Sequence, residues 1–319
     1  MTVINYSEFN TLTSCERKWA YQYVLNEAEE GARKGLFLGT LCHKWHERWL
    51  LGLGATLPSE WTDDIEPGGK PGEAQVIALA SFDPELVTRA TWLAGRFVEC
   101  YGAEPPSWWT VISAEDWMTR EFTWGTLVGR TDGFVRIEGK LWLIELKTYG
   151  ARPGPLAYAQ VSPQLGCYSL LAEAKYGERP WGIIYQGVYT YRWKPIVPTQ
   201  ASLIEMMKAT PEGGCASARD LKAAAKLMQA DPNRWTERPA AESFDQIEVE
   251  LGDEHLRTAE TYLQSAVNRR DDLLEHGMQA LPNVGRDCSW CSFKTQCWFD
   301  LGGVEPFEIE VDDDTAEPV

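Results

Sequence analysis

Asp132 and Glu145 lie thirteen residues apart, and Lys147 follows Glu145 at the second position. Two carboxylates and an ammonium brought to one point are what metal-dependent hydrolysis of a phosphodiester requires. Carboxylates that close repel each other unless a cation lies between them. Hard oxygen ligands without a dedicated cage suit Mg²⁺ or Mn²⁺, which keep several waters for contact with a substrate. Such a metal polarises a phosphoryl oxygen and lowers the pKa of a bound water. Lys147 then orients that water or stabilises the charge developing on phosphorus.

A hairpin has the task of positioning these three groups. The runs Leu127–Ile137 and Leu141–Lys147 are rich in β-branched and aromatic residues and flank a short Glu138-Gly139 turn. If those two residues are the whole loop, Ile137 pairs with Lys140. Counting outward then sets Asp132 opposite Glu145, with Cβ atoms roughly 5 Å apart, and Lys147 shares that face. The hairpin alone also admits a plainer reading, an ordinary charged cross-strand pair worth about 0.2–1 kcal/mol.

The arrangement D-x₁₂-E-x-K resembles the catalytic core of the PD-(D/E)xK nucleases, and further matches follow in order along the chain. Gly39-Thr40-Leu41-Cys42-His43 resembles the G-x-x-x-H element of the RecB-like branch, on a helix expected from about Gly39 to Leu51. Glu115 stands where that branch has an acidic residue ahead of the hairpin. Gln164-Leu165-Gly166-Cys167-Tyr168 resembles its Q-x-x-x-Y motif, with Gln164 and Tyr168 one helical turn apart and so on one face. Thr131 replaces the proline before the aspartate, as is usual in RecB-like members. The resemblance implies His43, Asp132, Glu145 and the Leu146 carbonyl as metal ligands, the imidazole favouring Mn²⁺ over Mg²⁺. It implies Lys147 as the group assisting the water, with Gln164 and Tyr168 positioning the scissile region of the strand.

Cysteine forms a second constellation. Of eight cysteines, Cys288, Cys291 and Cys297 give C-x₂-C-x₅-C near the C-terminus, and three thiolates need a fourth. The segment Ser7–Val24, containing Cys15, resembles the N-terminal element of iron–sulfur RecB-like nucleases, in which one N-terminal cysteine joins a C-terminal trio around a [4Fe–4S] cluster. Glu16 stands where a proline often follows that cysteine. Zinc is the rival, since Cys₄ is also a common structural zinc shell, although zinc ribbons usually present two C-x₂-C pairs. Cys42, Cys100, Cys167 and Cys215 read as small buried hydrophobes or unremarkable thiols.

Length and a 44% hydrophobic fraction suit one enzyme domain with a sizeable core. Met1–Tyr6 has neither a basic region nor an apolar core, and no run approaches the ~18 apolar residues of a membrane span. The expectation is a cytoplasmic protein whose thiols stay reduced. A formal charge of −17 runs against the basic footprint that nucleic-acid binding usually carries. Part of that excess falls in Glu305–Glu317, with seven acids and no base, read as a disordered tail. Another part falls in Glu242–Glu254, read as a solvated stretch. Arg17, Lys18, Arg120, Arg130, Arg192 and Lys194 remain for phosphate contacts. Trp45, Trp108, Trp109 and Trp193 are candidate base-stacking platforms, with core packing as the plainer reading.

The implied fold class is α/β (α+β): a restriction-endonuclease-like mixed sheet flanked by helices, its N- and C-terminal helical parts joined by a Cys₄ cluster. Residues 1–304 read as one domain, with a helical part at 1–105, the catalytic α/β core at 106–200, a helical return at 201–304, and a tail at 305–319. Residues 52–76, rich in Gly, Pro and acids, read as a long surface loop or lid. The resemblance, to the small exonucleases of CRISPR adaptation and their phage-encoded relatives, implies a nuclease acting on single-stranded DNA or DNA ends. It also implies protein partners of recombination or CRISPR type. A non-catalytic DNA-end or partner-binding module and a zinc-stapled adaptor are the alternatives.

Overall fold

The computed structural model describes residues 2–25, 27, 34–58, 60–63, 75–78, 83–149, 162–190, 196–209, 217–231, 236, 239–275, 281–283, 285, 288 and 291–300. In chain order, strand β1 (Thr2–Asn5) leads into helix α1 (Tyr6–Ser14). The Asn5 side chain caps α1 by accepting the Glu8 N–H at 2.8 Å. Cys15 breaks the helix, and α2 (Glu16–Trp19) continues as a π-turn over Ala20–Val24. Next come α3 (Lys34–Leu50), a small hairpin of β2 (Glu60–Asp63) and β3 (Gln75–Ala78), and α4 (Pro84–Tyr101). Strands β4 (Thr110–Phe122), β5 (Gly125–Ile137) and β6 (Lys140–Tyr149) form a meander. After it follow α5 (Pro163–Tyr176), β7 (Gly182–Tyr189), α6 (Gln200–Lys208), α7 (Ala218–Gln229), β8 (Phe244–Glu250), α8 (Asp253–Glu275) and α9 (Lys294–Asp300).

Six strands make one mixed sheet in the order β1-β5-β6-β7-β8, with β4 on the other edge of β5. Pairing is parallel for β1 with β5 and for β6 with β7, and antiparallel elsewhere. Helices cover both faces. Phe9, Leu12, Leu170 and Leu263 pack beneath Leu143, Ile183 and Tyr185, whereas Trp45, Trp49, Leu93 and Phe97 pack on Ile144, Leu146, Ile184 and Val188. Strand β7 is buried at every residue, and its continuous apolar run reflects a strand covered on both faces. α5 approaches α8 so closely that a Cβ on Gly166 would lie 2.5 Å from the Ala259 Cβ, which leaves no room for a larger residue. No helix among the described residues is long and apolar enough to cross a membrane.

Several expectations change. The span read as a loop or lid over 52–76 contains β2 and the start of the β2–β3 hairpin. The acidic stretch read as solvated over 242–254 contains β8, which pairs along β7. Here Glu248 and Glu250 face solvent while Phe244 and Val249 are buried, and such charges on an edge strand discourage pairing with another sheet. Trp45 and Trp109 are buried, while Trp108 is exposed and meets Trp109 edge-on, so the core-packing reading holds for the first two. Trp193, Arg192, Lys194, Cys215 and the tail over 305–319 lie outside the described residues.

Candidate active site

The hairpin pairs as its turn chemistry predicts, with Glu138 and Gly139 both at positive φ and Ile137 opposite Lys140. The ladder runs as far as Gly133 and Ile144 and stops one residue short of Asp132 and Glu145. Beyond that point the Leu146 N–H donates to Asp132 Oδ2 at 2.5 Å. The neighbouring strand supplies the reason. β1 pairs with Gly125–Val128 and β6 with Gly133–Ile137, so Gly129–Asp132 faces an opening between them. Strand β5 also exchanges faces here, since Leu127 joins one core and Val135, of the same parity, joins the other.

β4 is irregular nearby, with a register shift between Val111 and Ser113 opposite Phe134 and Val135, and Glu115, between the partners of Gly133 and Thr131, has a φ of 48°. A left-handed backbone at a residue bearing a long side chain is strained, and strain of this kind clusters at functional sites. Glu115 Oε1 lies 3.6 Å from His43 Nδ1, and Oε2 lies 3.0 Å from Arg130 Nε. α3 supplies His43, whose Nδ1 is 2.9 Å from Asp132 Oδ1. His43, Glu115 and Asp132 each place a ligand atom within 4.8 Å of the others. Glu145 lines the same pocket, of about 440 Å³, but stands outside that trio. Lys147 Nζ holds the Glu145 Oε1 at 2.5 Å, while its Oε2 is buried without a partner among the described residues.

Charge coupling is strong in this space. Desolvation pushes the Glu145 carboxyl well above its ordinary value, and Asp132 adds to the rise against the pull of Lys147. Desolvation opposes ionisation of Asp132 too, yet His43, Lys147 and the Leu146 N–H outweigh it and hold that carboxyl low. His43 is driven up to about 10, because Asp132 and Glu115 overcome desolvation. Lys147 is raised as well, its desolvation outweighed by Glu145. One helical turn beyond His43, the buried His46 bonds Gln186 at 2.8 Å, and burial drops it to about 4.

These donors fit a divalent cation. They are hard carboxylate oxygens with one imidazole, and a buried carboxylate oxygen in the same pocket has no hydrogen-bond partner among the described residues. From α5, Gln164 and Tyr168 line the same pocket, with the Gln164 amide donating to the Tyr168 hydroxyl at 2.8 Å. Arg130, Ser7, Thr40 and Lys44 complete the wall without having been expected there as a group. Only the position of Arg130 beside the aspartate motif hinted at its place.

Next to α1, the segment around Cys15 meets residues from the C-terminal part of the chain. Asn283 donates to the Ser14 carbonyl at 2.9 Å, the Leu281 N–H to Glu16 Oε2 at 3.1 Å, and the Arg269 guanidinium to both Glu16 oxygens. Tyr21 packs on Phe293 with centroids 5.4 Å apart and bonds Asp300. Burial raises the Cys297 thiol, Arg17 opposes the rise, and Cys15 and Cys291 add to it, so three of the four predicted ligands are neighbours. Cys288 bonds locally, its thiol donating to the Asn283 carbonyl at 3.6 Å. Among the described residues no three cysteines stand within range of a single shared ion. Cys42 and Cys167 are buried, and Cys100 is half-buried.

A family model for the PD-(D/E)XK nuclease superfamily matches residues 3–298. No curated protein matches. Among solved structures, a "Putative exonuclease" from Eubacterium rectale is similar over 99% of this chain and 94% of its own, at 12% identity and a TM-score of 0.46. SSO0001 is similar over 91% of this chain and 83% of its own, at 13% identity and a TM-score of 0.36. The match to the family model spans the β1 strand, the His43 helix, the hairpin and the cysteine trio alike, and the chain belongs to the PD-(D/E)XK nuclease superfamily.

Proposed function

We propose that this protein hydrolyses DNA phosphodiesters with a divalent metal, acting on single strands or on ends, and that its terminal cysteines hold a [4Fe–4S] cluster. The buried Oε2 of Glu145, without a partner among the described residues and in one pocket with the His43–Glu115–Asp132 trio, carries the reading. Asp132, Glu115, His43, Glu145 and the Leu146 carbonyl would hold the metal, which supplies Lewis acidity and a bound water of lowered pKa. Against desolvation, Glu145 raises the Lys147 ammonium, which suits it to donate hydrogen bonds to the attacking water or to a phosphoryl oxygen. Tyr168 is held protonated, chiefly by burial, so its hydroxyl can donate to a phosphate while accepting from Gln164. The preference for single strands and ends rests on the resemblance to the small CRISPR-adaptation exonucleases.

The test is cleavage of end-labelled single- and double-stranded DNA with Mn²⁺ or Mg²⁺. Asp132→Asn should lower cleavage by at least about 100-fold, the scale on which removal of one preorganised charge-stabilising group acts, while circular dichroism stays unchanged. Wild-type activity in Asp132→Asn would remove this pocket from the reaction.

A further inference from the structure

Among the described arginines read as phosphate contacts, Arg130 lines the pocket. Arg120 is occupied by the Leu170 carbonyl at 3.0 Å and Glu173 at 2.7 Å. Arg17 acts on Cys297 and Tyr21 and does not line the pocket, and the pocket's own Lys44 pairs with Glu47 at 3.3 Å. Arg130 lines the pocket with its side chain about one-third exposed. Its Nε is fixed to Glu115 at 3.0 Å. Its guanidinium carbon lies 5.4 Å from the ring centroid of Trp117, its partner across the strands. Neither terminal nitrogen has a partner among the described residues.

An arginine pinned through Nε and braced against an aromatic ring has lost much of its rotamer freedom before anything binds, and its two terminal amino groups form a planar fork matched to a phosphate. Arg130 precedes Asp132 by two residues, about 7 Å along a strand, comparable to the step from one phosphate to the next in an extended single strand. We propose that Arg130 is a phosphate-binding residue that grips the backbone phosphate adjoining the scissile one. This rests on the nuclease reading and adds to it a subsite for a nucleic-acid phosphate. The Glu115 contact has two consequences: it aims the fork, and it ties the strained β4 residue to substrate binding.

The experiment measures binding of a fluorescein-labelled oligothymidylate to metal-free protein in EDTA across a salt series, with Mn²⁺ affinity by calorimetry and KM and kcat alongside. Arg130→Gln should reduce the slope of log K against log salt by about 0.7, the value for one phosphate contact on a single strand, and raise KM about tenfold with less change in kcat. Arg130→Lys should keep the slope but not the KM, because it retains the charge and loses the fork. If Arg130→Gln instead weakens Mn²⁺ affinity and leaves the slope at the wild-type value, the residue only positions Glu115 and the inference is overturned. An unchanged slope and KM in both variants overturns it as well. Wild-type protein that neither binds nor cuts the oligonucleotide overturns the nuclease reading itself, and the subsite with it.

Discussion

Glu115 shows what the pocket demands of a single residue. A φ of 48° costs a side-chain-bearing residue on the order of 1–3 kcal/mol, and the return is a carboxylate set within ligand range of His43 and Asp132. Two substitutions separate backbone from side chain. Both Glu115→Ala and Glu115→Gly should lose most Mn²⁺ affinity, because both lack the carboxylate. In an ordinary strand the glycine variant would be the less stable one. Here it should be the more stable, by about 1 kcal/mol in chemical denaturation, since glycine adopts positive φ freely. Alanine matching or exceeding glycine would mean that the bend is unstrained.

Among the elements, the site depends on a strand edge shared by two partners. β1 and β6 divide one side of β5, and the gap between them exposes Asp132 to α3. The termini are joined by a comparable contact between elements, α2 to α8, through Glu16 and Arg269. The Arg269 guanidinium holds the Glu16 carboxyl below its ordinary value, against a smaller opposing effect of burial and with help from the Leu281 N–H. A carboxyl lowered on folding contributes stability above its unfolded pKa and loses it as pH falls through the folded value. Wild-type protein should therefore melt above Glu16→Gln at about pH 6–8, with the difference closing towards about pH 3. A gap in melting temperature that is independent of pH would assign the effect to packing.

For the whole molecule, the proposed cluster would link distant parts of the sequence, and closing so long a loop would restrict the unfolded chain more than a local cross-link does. Protein prepared without oxygen should be brown, absorb near roughly 400 nm and hold about four irons per chain if Cys15, Cys288, Cys291 and Cys297 carry a [4Fe–4S] cluster. Replacing any one of these with alanine should bleach the colour and lower both stability and cleavage. Replacing Cys42, Cys100, Cys167 or Cys215 should not. Stoichiometric zinc without iron would refute the cluster while leaving the hairpin site intact.

Much of the site is local and so was legible in the sequence. A two-residue turn sets the register that aligns Asp132 with Glu145 along the hairpin, and a four-residue spacing puts Gln164 and Tyr168 on one helical face, because strand and helix periods act over a few residues. Edge strand β8 escaped notice because its exposed acids outweighed its two buried apolar residues in composition. Only the tertiary structure decided that Glu115 joins His43 and Asp132 while Glu145 stands apart with Lys147, that Arg130 lines the pocket, and that Cys15 and Cys291 both act on Cys297. Each of these depends on which strand takes which edge and which helix covers which face. Such choices are set by the packing of the whole core, and no short window of sequence contains them.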